Sequence, residues 1–351
     1  MSKLNEQAIQ QMLSRTDIVD IISDFVPLVR KGTRHIGLCP FHDDHHLGNF
    51  VVYKNCYKCF ACDEKGDVVE FVKKIKGCTF VEAVQYIASK TGSSLEDNQP
   101  RTTRSAIIRN TCQLPILTID FDKYVTPKAS HNNNLCKWIA SLHWNDKQRE
   151  RISKVFELYH VGTSKFGHTI FWQIDEQRRV RTGKMMKYLL DGHRDKTNKF
   201  SFAWIHNLLL KQGVWKENEY EMQQTLFGMH LVNEYPNAEV HIVESEKTAI
   251  ICMIYFGDWD NHIWMATGGK SNISRVKFRP LIEGKKIISF HPDYDGLTEW
   301  ARRCNELNYS KAYISNSLLA NHWQKADGDK ADLADILTRI INQSSSINDG
   351  R

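Results

Sequence analysis

Two closely spaced pairs of soft-ligand residues constrain this chain more than any other feature. Cys39-Pro-Phe-His42 is followed, after 16 residues, by Cys59-Phe-Ala-Cys62. A C-x2-H or C-x2-C pair puts two soft ligands on one side of a tetrahedron from a single tight turn. Two such pairs complete a closed zinc shell that leaves no position for water, so the expected role is structural. Cys56, His45 and His46 also lie within reach in sequence. A Cys56 ligand would pair with Cys59 and leave Cys62 spare. Cys62 is preferred because Phe60-Ala61 makes the tighter knuckle and leads into Gly66-Asp67. The competing reading is unligated thiols in a reduced core, which needs the paired spacing to arise by accident.

The chain has nine cysteines, and Cys39, Cys56, Cys59 and Cys62 fall within 24 residues. The other five, Cys78, Cys112, Cys136, Cys252 and Cys304, are scattered and read as small buried hydrophobes. The N-terminal stretch MSKLNEQAIQQ has no apolar h-region. The longest apolar run, Ala249 to Phe256, is eight residues, far below the roughly 20 that span a bilayer. A membrane or secreted chain is therefore not expected. The expected location is cytoplasmic, with reduced thiols. Hydrophobic residues at 41% and charged residues at 25% are sufficient for folded cores.

Net charge is +6, and its location matters more than its size. Residues 1–100 hold 12 basic and 13 acidic residues, residues 101–240 hold 21 and 14, and residues 241–351 hold 14 of each. The surplus is one block, and a localised positive field points to a polyanion.

Residues 5–13 and 16–26 read as helices, the second with Asp17 as N-cap. Leu28 to Tyr57 reads as short strands, followed by helices Val68 to Ile75 and Thr79 to Ser89. The polar stretch after Gly92 reads as a linker. HTIFWQID and RRVRTG read as two strands around an acidic turn. The last third alternates: AEVHIVE strand, SEKTAIICMIYFG helix, NHIWMATGG and KKIISFHPD strands, YDGLTEWARRCNEL helix, KAYISN strand, DLADILTRII helix. Such alternation indicates a parallel α/β sheet.

IVDIISDFVPLVRKGTRHIGLCPFHDD, YKCFACDEKGDVVEFV and FVEAVQYIA, over about residues 10–92, resemble the CHC2 zinc-binding domain of bacterial DnaG-type primases. The resemblance implies Cys39, His42, Cys59 and Cys62 as ligands, and a module that engages template DNA. One departure is Leu47-Gly48-Asn49-Phe50, where the family carries Thr/Ser-Pro-Ser-Phe and only Phe50 matches.

Glu244 ends one apolar strand, and Asp293 and Asp295 follow another. In a parallel sheet the strand C-termini converge on one edge, where ligands bind. Carboxylates gathered there repel unless a divalent cation neutralises them, and hard oxygens suit Mg²⁺. Such an array serves phosphoryl transfer. Each acid alone also reads as a helix cap. VHIVESEKTAI, MATGG, ISFHPDYDG and KADLADIL, over about 238–342, resemble the Toprim domain. The resemblance implies Glu244 as the catalytic or metal-orienting acid, Asp293 and Asp295 as Mg²⁺ or Mn²⁺ ligands, and Asp332 as the later acid, with Asp335 beside it. Ser245 and Thr248 depart from the primase branch, which carries Gly and Asp at those positions. Lys247 reads equally as a phosphate contact or a solvated helix residue. Gly268-Gly269-Lys270-Ser271 is not a P-loop, because Trp264 stands where the first Gly is required.

In the basic block, Arg178, Arg179, Arg181, Lys184 and Lys187 are nucleic-acid-binding candidates, preceded by Lys147, Arg149, Arg151 and Lys154. Basic residues hold phosphates and aromatics stack on unpaired bases. Trp138, Trp144, Phe171, Trp172, Tyr188 and Trp204 interleave, and each taken alone reads as core.

The expected organisation is α/β, α+β overall. It comprises a zinc-ribbon module at 1–92, a linker at 93–113, a basic mixed α/β subdomain at 114–238 and a Toprim-like parallel α/β sheet at 239–345. The resemblance implies a DNA primase that makes short RNA primers on a single-stranded DNA template from nucleoside triphosphates. Structural Zn²⁺, catalytic Mg²⁺ or Mn²⁺ and a replicative helicase as candidate partner go with it. The chain ends about ten residues after its last expected helix, which suits a compact, mobile-element-like relative. The alternatives are a Toprim nuclease and a non-catalytic single-stranded DNA-binding protein.

Overall fold

The computed structural model describes residues 6–92, 115–197, 200–215, 220–270, 272–315, 321–325 and 331–343. The expected linker at 93–113, Cys112, Ser271 and the chain end lie outside them. The chain divides into two compact units, residues 1–115 and a second unit of 116–216 with 220–351.

The first unit opens with α1 (Glu6–Arg15) and α2 (Ile18–Ser23). Asp17 caps α2 by accepting from the Val19 amide, and the helix stops short of the expected residue 26. Five antiparallel strands follow in sequence order: β1 (Val29–Lys31), β2 (Arg34–Gly37), β3 (Phe50–Val52), β4 (Tyr57–Cys59) and β5 (Lys65–Gly66). Asp67 caps α3 (Val68–Lys76), and a Thr79–Glu82 capping box opens α4 (Phe80–Thr91). The core joins Ile18 and Ile22 to Phe50, Tyr57, Phe71, Val84 and Ile87. Tyr57 and Phe71 pack edge to face at 5.3 Å.

In the second unit, α5 (Phe121–Tyr124), α6 (Asn134–Ser141), α7 (Asp146–Arg149) and α8 (Arg151–Leu158) precede an antiparallel sheet. Its strands are β6 (Gly162–Thr163), β7 (Thr169–Ile174), β8 (Val180–Met186) and β9 (Phe202–Trp204), in that order. The expected hairpin is β7–β8. Every residue of both strands is buried, so the sheet is covered on both faces. Ile170, Trp172 and Ile174 face one core with Ile205, and Phe171 joins the main core. α9 (Ile205–Lys211) and α10 (Leu231–Glu234) lead to the second sheet.

That sheet has the order β11-β10-β12-β13 and is parallel throughout, as the strand–helix rhythm implies. Its strands are β10 (Glu239–Val243), β11 (His262–Ala266), β12 (Ile288–Phe290) and β13 (Ala312–Ile314). Parallel neighbours need crossover helices. These are α11 (Glu246–Phe256), α12 (Arg275–Glu283) and α13 (Leu297–Glu306), with α14 (Leu333–Gln343) last. α11 is apolar on all sides and buried from Thr248 to Ile254. Gly257 ends it at φ +66, a left-handed position that suits glycine. α12 was not expected from sequence, because Pro280 lies inside it. One continuous core holds Phe171, Met186 and Tyr188 together with Val240, Ile254, Phe290 and Leu337. The segments 114–238 and 239–345 therefore share a core within one unit.

Candidate functional site

In the first unit the loop after β2 and the knuckle after β4 bring the expected zinc residues together. One donor atom from each of Cys39, His42, Cys59 and Cys62 lies within 4.8 Å of all the others. Cys39 Sγ and Cys62 Sγ are 3.8 Å apart, and Cys59 Sγ is 3.9 Å from His42 Nδ1. These separations match the edges of a tetrahedron with arms of about 2.0–2.3 Å around Zn²⁺. The Ala61 and Cys62 amides donate to Cys59 Sγ at 3.4 and 3.5 Å, which shapes the knuckle. Sequence reasoning missed Asp44. Its Oδ2 accepts from the Cys39 amide at 2.8 Å, its Oδ1 accepts from Asn49 Nδ2 at 2.7 Å, and its Oδ1 is 3.8 Å from His42 Nε2. It ties the ligand loop and orients the imidazole, a usual second layer around zinc. Cys56, His45 and His46 are not in this donor group.

In the second unit, the C-terminal ends of β10 and β12 place Glu244 and Asp293 side by side, within hydrogen-bonding reach of each other. The Gly268 amide donates to the Glu244 carbonyl at 2.9 Å, and the Tyr294 amide donates to the Ala331 carbonyl at 3.2 Å. These bonds draw the turn after β11 and the start of α14 to the same edge. Burial, then Asp332 and Glu244, push Asp293 up to about 9. Burial likewise raises Glu244, whose Oε2 is buried without a hydrogen-bond partner. An orphaned carboxylate oxygen beside a carboxyl whose charge is strongly disfavoured is the chemistry a hard divalent cation relieves.

The helix-cap alternative fails for Asp293, which makes no side-chain cap bond. It holds in part for Asp332. One oxygen of Asp332 accepts from the Asp335 amide at 2.8 Å, and the other accepts from Thr248 Oγ1 at 2.9 Å. Asp295 stands at the rim, paired with Lys270. Lys247 is half-buried, 3.6 Å from Asp335 and 5.7 Å from the Trp138 ring, so it is not a solvated helix residue.

The basic candidates need correction. Arg181 is buried and pairs with Asp175 at 2.6 Å. Lys184 is buried, with Nζ 3.0 and 2.9 Å from the two Glu246 oxygens and 3.3 Å from the Gly268 carbonyl. Both lie on a strand covered on both faces, where a charge must bring its counter-charge. They are internal struts and do not form a phosphate-gripping surface. Arg179 also pairs with Asp175, at 2.9 Å. Arg178 is exposed and reaches Glu234 at 3.0 Å, and Lys187 donates to the Phe166 carbonyl. Trp144, Phe171, Trp172 and Tyr188 are core residues. Glu246 was not singled out from sequence. Its only signal there was an acid in the first turn of a helix that is apolar from Ala249 onward.

Residues 4–103 match the family model described as the CHC2 zinc finger. Residues 133–294 match one described as a domain of unknown function, DUF6371. The latter runs across residue 238, in keeping with the shared core. A DNA primase of Clostridium acetobutylicum is 44% identical over 97 residues, covering 27% of this chain and 16% of that protein. A DNA primase of Staphylococcus epidermidis is 34% identical over 157 residues, covering 42% of this chain and 26% of that protein. The chain thus spans about a quarter or less of the length of these relatives. Among solved structures, the zinc-binding and RNA polymerase domains of the Aquifex aeolicus primase align over 99% of this chain and 85% of that one, at 15% identity and TM-score 0.36. Residues 4–103 are thus similar to the CHC2 zinc finger, and part of the chain is similar to part of bacterial DNA primases. Among the described residues no helix is long and apolar enough to cross a membrane.

Proposed function

We propose that this protein is a primase-type nucleotidyltransferase, a DNA-directed RNA polymerase that makes short RNA primers on single-stranded DNA. The observation that carries the reading is the Glu244–Asp293 pair, with Asp332 close enough to perturb it, at the C-terminal edge of a parallel sheet in a chain with a CHC2 zinc finger. Cys39, His42, Cys59 and Cys62 would hold a structural Zn²⁺. Glu244, Asp293 and Asp332 would hold Mg²⁺ or Mn²⁺, with Asp295 joining them by leaving Lys270. The metal supplies charge neutralisation at the transferring phosphoryl group. The chain's own part is to converge the carboxylates and to set Lys270 beside them for the triphosphate. Lys184 holds Glu246 and the Gly268 carbonyl, so the turn next to Glu244 stays in place. With Arg181 and Lys184 internal, Arg178, Arg179 and Lys187 are the candidates left for contact with the template backbone. A replicative helicase is the natural partner for such an activity, and the cytoplasm its place of work.

The test is incubation of the chain with single-stranded DNA, labelled nucleoside triphosphates and Mg²⁺. Template-dependent oligoribonucleotides are expected from the wild type and not from Asp293→Ala. Shortened DNA would indicate a nuclease instead, and DNA binding with no Mg²⁺-dependent product would overturn both enzymatic readings.

A further inference from the structure

The parallel sheet carries a second donor group that none of this chemistry uses. Glu239 and His241 are two residues apart on β10, so both side chains leave the same face. His262 opens β11 directly opposite Glu239 in the parallel register and shares that face. One donor atom from each of the three lies within 4.8 Å of the other two. This end of β10 is five residues before Glu244, roughly 16 Å along a strand, so it is distinct from the carboxylate edge.

The surroundings hold His241 and Glu239 in place. His241 Nε2 faces His262 Nδ1 at 2.9 Å, and His241 Nδ1 faces His291 Nε2 at 2.9 Å. With the His241 proton on Nδ1, directed at His291, its Nε2 lone pair points toward His262 and Glu239. His291 Nε2 is also 3.2 Å from Ser289 Oγ. The Tyr313 hydroxyl donates to Glu239 Oε1 at 2.5 Å. Trp264 stacks on the His241 ring at 4.6 Å and 22°. An imidazole that gives its other N–H to a neighbour, and a carboxylate held by a hydroxyl, are the usual outer layer of a transition-metal site. All three donors are half-buried and Tyr313 is exposed, which leaves a route in from solvent.

We propose that Glu239, His241 and His262 form a second metal site in this chain, a two-histidine, one-carboxylate site for a divalent transition metal ion. Imidazole with one carboxylate suits Zn²⁺ and excludes the all-oxygen preference of Mg²⁺. The ion ties the start of β10 to the start of β11, and three protein ligands leave one position for water. The inference uses neither the cysteine tetrad nor the carboxylate edge, so it stands independently of the proposed activity.

The test is a zinc count after equilibrium dialysis of the full chain against micromolar free Zn²⁺. Wild type is expected to hold about two ions per chain, and His262→Gln and Glu239→Gln about one each. Cys59→Ser is expected to hold about one, which is lost on adding His262→Gln. Cobalt bound to Cys59→Ser should absorb weakly in the visible without a thiolate charge-transfer band. Circular dichroism melts establish that the Gln variants are folded, and Glu239→Gln serves where His262→Gln is not. One ion in the wild type, or an undiminished count in both Gln variants, would each overturn the site.

Discussion

Lys184 Nζ lies 2.9 and 3.0 Å from the two carboxylate oxygens of Glu246, with both side chains buried. The pair joins β8 of the antiparallel sheet to the first turn of α11, directly after the Glu244 strand end. Removing one partner strands the other charge in a dry interior, at a cost of about 3–5 kcal/mol. Lys184→Met and Glu246→Gln should each lower stability by that order in a denaturant titration. The double variant Lys184→Met/Glu246→Leu should recover most of the loss, because a buried ion pair can be replaced by apolar packing of similar volume. Additive losses in the double variant would show that the two residues do not act as a pair.

The zinc tetrad is expected to hold the first unit together. Cys39 and Cys59 are buried in or beside the Phe50–Tyr57–Phe71 core, so the ligand loop and the core are one structure. Cys59→Ser should lower bound zinc by about one ion per chain, because three remaining ligands bind far more weakly. Limited proteolysis of the full chain should then cut faster within residues 6–92 than within the second unit. Asp44→Ala should give a milder form of the same result, since the outer layer typically contributes 10–100-fold to metal affinity. An unchanged zinc content in Cys59→Ser would remove Cys59 from the ligand set.

The parts that sequence made legible share one property: their signal is local. The two zinc pairs are each four residues long, Glu244 directly follows an apolar run, and Asp293 comes three residues after another. Gly257 marks the end of α11, and Asp17, Asp67 and Thr79 mark helix starts at the expected positions. What sequence did not show depends on which side chains the fold turns toward each other, whether near or far along the chain. A count of basic residues cannot reveal that Arg181 meets Asp175 or that Lys184 meets Glu246, 62 residues away. His241, His262 and His291 carry no spacing signal, because only strand register puts them in line. Asp332 was named only through the Toprim resemblance, and its bond from Thr248 was not legible.

Acid should destabilise the second unit through His230. Burial, the largest influence, lowers this imidazole from 6.5 to about 4, and its Nε2 lies 2.9 Å from the Leu158 carbonyl. The unfolded histidine takes up a proton below about 6.5, whereas the folded one resists until about 4. Between those values the unfolded state binds more protons, so stability is intact above 6.5 and falls as pH drops toward 4. The full contribution is about 3 kcal/mol. His230→Gln keeps a donor for the Leu158 carbonyl and has nothing to titrate. Denaturant midpoints measured across this window should fall less steeply for His230→Gln than for the wild type. Parallel slopes would mean that other groups govern the acid response.

Converging carboxylates make the Glu244–Asp293 edge unstable on its own and responsive to a cation. Glu244 Oε2 is buried with no hydrogen-bond partner, and Asp293 sits close to both Glu244 and Asp332. Each charge that is not neutralised there costs folding free energy through burial and mutual repulsion. Two opposite effects of Asp293→Asn follow. In EDTA the variant should melt higher than the wild type near neutral pH, because the folded wild type must keep Asp293 protonated while its unfolded chain ionises, and Asn removes that cost while keeping the shape. In Mg²⁺ the order should reverse. An ion at 100 times its Kd stabilises the folded state by about 2.7 kcal/mol, and the variant lacks the charge that binds it. Thermal melts with EDTA and with a Mg²⁺ series read both effects on one sample, without any assay of catalysis. Equal Mg²⁺ shifts in the two proteins would separate Asp293 from the cation site, whatever the enzyme then proved to make.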